Sequence, residues 1–302
     1  MQLSYRHLFT DENQVEFSVL KTENTNCLCL QGDRKVLPRI KKAYKSAQFF
    51  FPNVKDNFFE PISINPLSDN VSAVFSYRQS GALSDFLRVV PEHWQYATGK
   101  KLGRVLKEMH SASLTEKQIE RAKTRHSSYL NRIASYVADL PHFKNDRYAM
   151  EAISTRYDYF SVFRPVMRYG SLKHQKILIT SDSTLLLLPS YSYGPGCMCE
   201  DFASLECETA GLYPVFCAGV IDGYFSSVVP TKFWMHFALY SALYSLWKCG
   251  LKAKTGKQMH ILMQQNSDRI REDFSNYTKP IPIWYTNENI EKIREKSIRQ
   301  AL

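Results

Sequence analysis

Apolar and polar positions alternate near the start of the chain and then change period. Val15 to Leu20 and Cys27 to Leu30 predict strands, followed by a turn at Gln31-Gly32-Asp33 and a third extended run from Lys35 to Ile40. Residues 41–51, rich in lysine and aromatics, predict a helix closed by Pro52, because the residue before a proline avoids helical geometry. Pro61 and Pro66 mark a loop, Val71 to Tyr77 predicts another strand, and helical spacing begins after Gly81 at Leu83, Phe86 and Leu87.

Beyond residue 91 the period is mostly helical. Leu102, Val105, Leu106 and Met109 fall at i, i+3, i+4 and i+7, the spacing of one buried face. A polar helical stretch covers 115–160. Ile177-Leu178-Ile179 and Leu185 to Leu188, joined by Ser181-Asp182-Ser183, predict a small hairpin, and Asp182 is expected to serve its turn. Helix returns over 200–275, and Asn287 is the expected N-cap of a last helix. The pattern divides the chain into a β-rich lobe over 1–78, a hinge at 77–81 and a helical lobe over 79–302 that contains the hairpin segment 167–190.

Composition narrows this picture. With 302 residues, 44% hydrophobic and 23% charged, the chain is globular, and disorder, collagen and coiled coil are excluded. The apolar run Phe233 to Trp247 is interrupted by His236 and is shorter than the ~20 residues a bilayer needs, so it predicts a buried helix and no membrane partner. The first residues lack a secretion signal, and seven cysteines are an odd number, so a cytoplasmic protein with free thiols is expected. Cys27/Cys29 and Cys197/Cys199 are spaced too closely for the usual zinc ligand pairs. The net charge of +10 comes without a basic stripe or finger spacing, so nucleic acid is not the expected partner, although a basic nucleic-acid-associated module stays as a further alternative.

Four segments carry a more specific resemblance. Phe75 to Leu83, Gly103 to His110, Tyr169-Gly170-Ser171-Leu172-Lys173-His174-Gln175-Lys176-Ile177-Leu178-Ile179, and Phe216 to Phe225 continuing through Pro230 and Phe233 resemble the aminoglycoside phosphotransferase and choline kinase family, in the family's order. The resemblance spans most of residues 15–275. It implies an α+β, bilobal protein-kinase-like fold with a small antiparallel β N-lobe and a large, mainly helical C-lobe.

The resemblance also fixes where the chemistry should be. The family's catalytic turn reads His-Gly-Asp-Leu-x-x-x-Asn-Ile-Leu, in which the Asp deprotonates the attacking hydroxyl and the Asn holds magnesium. Ser171 stands at the Asp position and Lys176 at the Asn position. Serine cannot take a proton near neutral pH, and a charged lysine has three donors and no lone pair. Counting back from Glu200-Asp201-Phe202, the second metal-binding Asp falls on Pro189, with Ser190 and Tyr191 beside it. Magnesium prefers octahedral oxygens that include a carboxylate, so it is not an expected cofactor. The glycine phosphate loop is placed at Glu23-Asn24-Thr25-Asn26, which has no glycine. The strand base that should meet the phosphates is placed at Arg39 or Lys35, and the following helix carries no acid to pair with it.

These substitutions imply a degenerate phosphotransferase, a pseudokinase with a regulatory, scaffolding or ligand-binding role and a protein partner. Lys173 and Lys176 would make the cleft basic, so an anionic ligand, ATP or another nucleotide without magnesium, is compatible with Arg39, Lys35, Tyr77, Lys173 and Lys176. The alternative is an active ATP-dependent transferase with relocated carboxylates, for which Glu200 and Asp201 are the candidate metal ligands. Both are read first as helix N-terminal carboxylates. His110 is expected to be hydrogen-bonded structure and His174 to be exposed. Polycationic aminoglycosides do not suit a chain with this charge balance. Phe216, Tyr224, Phe225, Phe233, Trp234, Tyr240, Tyr244 and Trp247 read as core before they read as an acceptor pocket.

Overall fold

The computed structural model describes residues 4–21, 26–66, 70–124, 126–226 and 228–299. In chain order the elements are β1 (Ser4–Thr10), β2 (Glu16–Lys21), β3 (Asn26–Asp33), α1 (Leu37–Phe50), β4 (Pro61–Asn65), β5 (Asn70–Ser76), β6 (Gly81–Ala82) and α2 (Leu83–Val89). Then come α3 (Glu92–Ser111), α4 (Glu116–Lys123), α5 (His126–Asp139), α6 (Arg147–Thr155), β7 (Pro165–Arg168), β8 (Ile177–Ile179), β9 (Leu185–Leu187) and β10 (Gly194–Cys197). The chain closes with α7 (Cys199–Leu205), α8 (Pro214–Phe225), α9 (Thr231–Ala253), α10 (Lys257–Asp273) and α11 (Glu288–Arg299). The class is α+β, as the sequence implies.

Two compact units separate. The first comprises 1–88, 169–171 and 175–194, and the second comprises 89–168, 172–174 and 195–302. The hairpin segment thus groups mostly with the N-terminal strands, and the first unit runs ten residues past 78.

The first unit is a five-stranded antiparallel sheet in the order β1-β2-β3-β5-β4, with α1 against β5 and β4. Phe17 lies opposite Leu30, and Leu28 opposite Phe75, so the alternation in the sequence places one apolar face under the helix. Phe17, Leu28, Leu30, Ile40, Phe50 and Phe75 are all fully buried. β6, β8 and β9 form a second, three-stranded sheet.

Three elements differ from the expectation. β1 and β4 are edge strands that pair on one side only, and residues such as Tyr5 and Ile62 remain exposed, which erases the alternation. β4 opens with Pro61, where a missing ladder donor is tolerated. The expected strand Lys35–Ile40 is instead a 3-10 turn, Arg34–Val36, followed by the first turn of α1. Asp33 accepts from the Lys35 amide to start the turn, and Pro38 sits at the helix start, where its lacking N–H costs nothing.

The second unit is helical. α9 is buried nearly all round and packs against α5, α6, α7 and α10. The Phe233 to Trp247 run is therefore core, and among the described residues no helix is long and apolar enough to cross a membrane. Of the eight aromatics singled out above, only Phe225 and Trp247 are half-buried, and the other six are buried. Asn287 caps α11 as expected, its side-chain oxygen accepting from the Ile290 amide at 2.9 Å. Among the described residues all seven cysteines are free, and six of them are buried.

Candidate functional site

The parts of the catalytic-turn segment that belong to the first unit, 169–171 and 175–194, are tied by hydrogen bonds. Gly170 and Ser171 take consecutive left-handed conformations, with φ 71° and 56°, and a Cβ at Gly170 would meet the Ser192 carbonyl oxygen at 2.2 Å. The Tyr169 hydroxyl donates to the Leu188 carbonyl at 2.7 Å, the Ser190 hydroxyl donates to the Gly170 carbonyl at 3.1 Å, and the Leu188 amide donates to the Lys176 carbonyl at 3.1 Å. These bonds tie Leu188 and Ser190, on either side of Pro189, to Tyr169, Gly170 and Lys176. Asp182 lies in the turn of this hairpin, exposed and accepting from the Thr180 and Thr184 hydroxyls, which hold its pKa below the ordinary value. The turn reading of that residue stands.

Ser171 is half-buried, while Pro189 and Lys176 are buried, Lys176 at 4% exposure. The Lys176 ammonium lies 4.8 Å from the centre of the Tyr191 ring, within cation–π range. Tyr191 is itself tied down: its hydroxyl donates to Asp11 Oδ2 at 2.7 Å and accepts from the Asn13 side-chain amide at 2.8 Å. Asp11 Oδ1 meanwhile accepts from the amides of Asn13 and Val15 at 2.9 and 3.1 Å. Burial and the Asp11 hydrogen bond push the Tyr191 phenol pKa well up, so the phenol remains a neutral donor.

The sequence pattern does not single out Asp11 or Asn13. A sheet that starts at Val15 places the phosphate loop at Glu23-Asn24-Thr25-Asn26. Because β1 precedes that strand, the connection between the first two strands is Asp11–Val15. Residues 23–25 lie outside the described residues, and Asn26 begins β3. The signal was present as Asp11-Glu12-Asn13, a polar turn between two strands, of which the first has too little apolar alternation to be seen.

The strand placement expected for Lys35 and Arg39 is also corrected. Lys35 lies in the 3-10 turn and Arg39 in the first turn of α1, both exposed and neither on a strand. No lysine or arginine occurs on β3 at all. Tyr77 stacks on Phe59 at 6.3 Å between ring centres and donates to the Ser80 carbonyl at 3.2 Å.

In the second unit, Glu200 and Asp201 open α7 but are not surface caps. Both are buried, at 1% and 0% exposure. Glu200 Oε1 lies 3.2 Å from Arg168 Nε and accepts from the Tyr129 hydroxyl at 2.8 Å, and Oε2 lies 3.5 Å from Arg132. Burial acts to lower the Arg168 pKa, but Glu200 together with Tyr244, Asp201 and Tyr129 outweighs it and carries the guanidinium above its ordinary value. Asp201 Oδ2 lies 3.1 Å from His110 Nε2, and His110 Nδ1 lies 3.1 Å from the Tyr224 hydroxyl. His110 is therefore hydrogen-bonded structure, as expected, and the two candidate metal carboxylates are enclosed by cations and donors.

Lys173 acts within the same unit, on the buried carboxylate of Glu208. Burial raises that pKa, but Lys248, Lys252 and Lys173 together hold it well below the usual carboxylate range. Among the described residues no group of three His, Cys, Asp or Glu side chains is placed to hold a metal. Magnesium does not suit the residues at its two family positions, because Lys176 offers a cation and Pro189 only a carbonyl.

His174 is a correction. It is 3% exposed, with Nδ1 3.2 Å from the Thr209 hydroxyl and the ring edge-on to Tyr213, because the turn folds against distant residues rather than into solvent. Burial pulls its pKa down to about 4. A histidine depressed in the fold contributes stability above its unfolded pKa near 6.5 and loses it as pH falls toward the folded value. Between pH 7 and pH 4.5 the loss from this residue is about 2 to 3 kcal/mol. Urea titrations at both pH values should show His174→Gln losing that much less than wild type, and equal acid sensitivity would refute the assignment.

No protein-family model matches the sequence, and no curated protein matches it. Solved structures do. The apo form of a thermostable mutant of aminoglycoside phosphotransferase APH(4)-Ia is similar with a TM-score of 0.66 at 9% identity, covering 90% of this chain and 95% of that one. The fold is that of the aminoglycoside phosphotransferases and choline kinases. A choline/ethanolamine kinase family protein from Mesorhizobium loti is similar with a TM-score of 0.61 at 8% identity, covering 95% and 93% of the two chains. A macrolide 2'-phosphotransferase from Brachybacterium faecium is similar with a TM-score of 0.60 at 11% identity, covering 88% and 92%. At these identities the likeness establishes a phosphotransferase-like fold. The resemblance read from four short segments thus holds for the architecture.

Proposed function

We propose that the chain is a catalytically degenerate phosphotransferase-fold protein, a cytoplasmic pseudokinase that acts through a protein partner. What supports this reading is the hydrogen-bonded segment that carries Ser171, Lys176 and Pro189, the residues that the sequence resemblance assigns to the family's chemical positions. Phosphoryl transfer relies on positioning and charge neutralisation around the phosphates. Here the metal positions hold a cation and an imino acid. The connection between β1 and β2 presents Asp11, whose charge opposes a phosphate, and fastens it to Tyr191.

An active transferase with relocated carboxylates would need Glu200 or Asp201 to leave its partners. Each is enclosed by donors that the fold would then leave unpaired, which argues against that route. Isothermal titration with ATP and ADP, with and without magnesium, together with an ADP-release assay, tests the proposal. The expected result is no ADP release and no magnesium-dependent binding. Nucleotide binding that requires magnesium, or release of ADP above a heat-inactivated control, overturns it.

A further inference from the structure

The second unit contains a cavity of about 510 Å³, lined in part by Tyr224, Phe225 and Phe233. Its size falls in the range of small-molecule sites. The walls are the end of α3, residues 162–166, Cys197 to Cys199, the end of α8 and the start of α9. Phe163, Phe225, Phe233, Val166 and Pro230 make them largely apolar.

The charges on the lining have one sign. Lys107, Arg164 and Lys232 line the cavity and are exposed, and no Asp or Glu lines it. Among the described residues Arg164 and Lys232 have no ion-pair partner, and Lys107 has only a 3.5 Å contact to the Ser226 hydroxyl. Asp201, the partner of the lining His110, is fully buried. Both lining histidines are already engaged. His110 meets Asp201 and Tyr224, and the ring nitrogens of His236 face the carbonyls of Lys232, Tyr159 and Val162 at 2.7 to 3.0 Å. The groups left to meet a ligand are thus three cations around an aromatic and aliphatic floor.

We infer that this cavity binds a small organic anion, an acyl or aryl body ending in one carboxylate or phosphate. Apolar burial of the body supplies the affinity, and the cations select the sign of the head group. A polycation, or a neutral molecule of the same shape, lacks the second contribution. The inference rests on the charge and apolar lining of the cavity, which includes none of Ser171, Lys176 and Pro189, and so does not depend on whether the chain transfers phosphate.

The test uses the full chain and the fluorescent probe anilinonaphthalene sulfonate. Decanoate and decyl phosphate are expected to displace the probe saturably, more tightly than decanol, with decyltrimethylammonium weakest and with affinity falling as salt rises. The double variant Arg164→Glu with Lys232→Glu breaks no ion pair and should fold. It is expected to weaken decanoate binding by about tenfold or more while leaving decanol unchanged. Decanol displacing as well as decanoate, or the charge reversal leaving decanoate affinity intact, overturns the inference. So does the absence of saturable displacement by either anion.

Discussion

Gly103→Ala is expected to cost about 3 kcal/mol or more, and Gly103→Leu to yield no folded helical unit. α3 and α8 cross on four glycines, Gly99 and Gly103 facing Gly219 and Gly223, each pair four residues apart and so on one helix face. A Cβ at Gly103 would lie 2.2 Å from the Val220 carbonyl oxygen, and one at Gly99 would lie 2.1 Å from that of Phe216. Reciprocally, a Cβ at Gly219 would meet the Tyr96 carbonyl and one at Gly223 the Lys100 carbonyl, each at 2.2 Å. The obstructing atoms are backbone, so no rotamer change relieves the clash. The two helices would have to part along a line that also buries Leu102, Leu106, Phe216 and Val220. Alanine's higher helix propensity returns only about 1 kcal/mol. Gly81→Ala is the matched control, since nothing lies within 4 Å of a Cβ there, and it should stay within about 0.5 kcal/mol of wild type. Urea unfolding of the three variants reads the result, and wild-type stability in Gly103→Ala would refute the close crossing.

Those glycines show how the sequence was and was not legible. Gly103 and the stretch from Phe216 to Phe225 were recognisable as family-like segments, but the spacing alone did not reveal that one set of glycines answers the other. The apolar face of α3 could be read because helical periodicity is local, and Leu102, Leu106 and Met109 are indeed buried. Edge strands were invisible because one-sided pairing leaves residues such as Ile62 in solvent. The site divided in the same way. Ser171, Lys176 and Pro189 could be placed by counting along one segment. The partners of Tyr191, Glu200 and His174 could not, because Asp11, Tyr129 and Thr209 come from far along the chain. The extended run expected from Lys35 to Ile40 fails for a local reason: Pro38 suits the first turn of a helix, where its missing N–H costs nothing.

Arg168→Met is expected to destabilise the protein by about 3 to 5 kcal/mol, because it leaves Glu200 charged and fully enclosed. The Glu200 side chain has no solvent exposure and that of Arg168 has 4%, so water cannot replace the lost partner. Arg132 is a poor substitute: it approaches the other carboxylate oxygen only to 3.5 Å and its guanidinium is stacked 4.3 Å from the centre of the Trp247 ring. The packing around the pair leaves no slack either, since a Cβ at Gly196 would lie 2.5 Å from Arg168 Nε and 2.7 Å from Glu200 Oε1. Adding Glu200→Gln to Arg168→Met removes the stranded charge while the Tyr129 hydroxyl keeps an acceptor, so the double variant should recover part of the loss. A positive coupling of more than about 1 kcal/mol in the double-mutant cycle is the expected signature. The same cycle separates two roles for Glu200. If the carboxylate were a reserve metal ligand, magnesium would raise the melting temperature of wild type and raise it further once Arg168 is gone. If it serves Arg168, as the buried pair requires, magnesium moves neither, and a loss below about 1 kcal/mol in Arg168→Met would show that the pair does not hold the fold together.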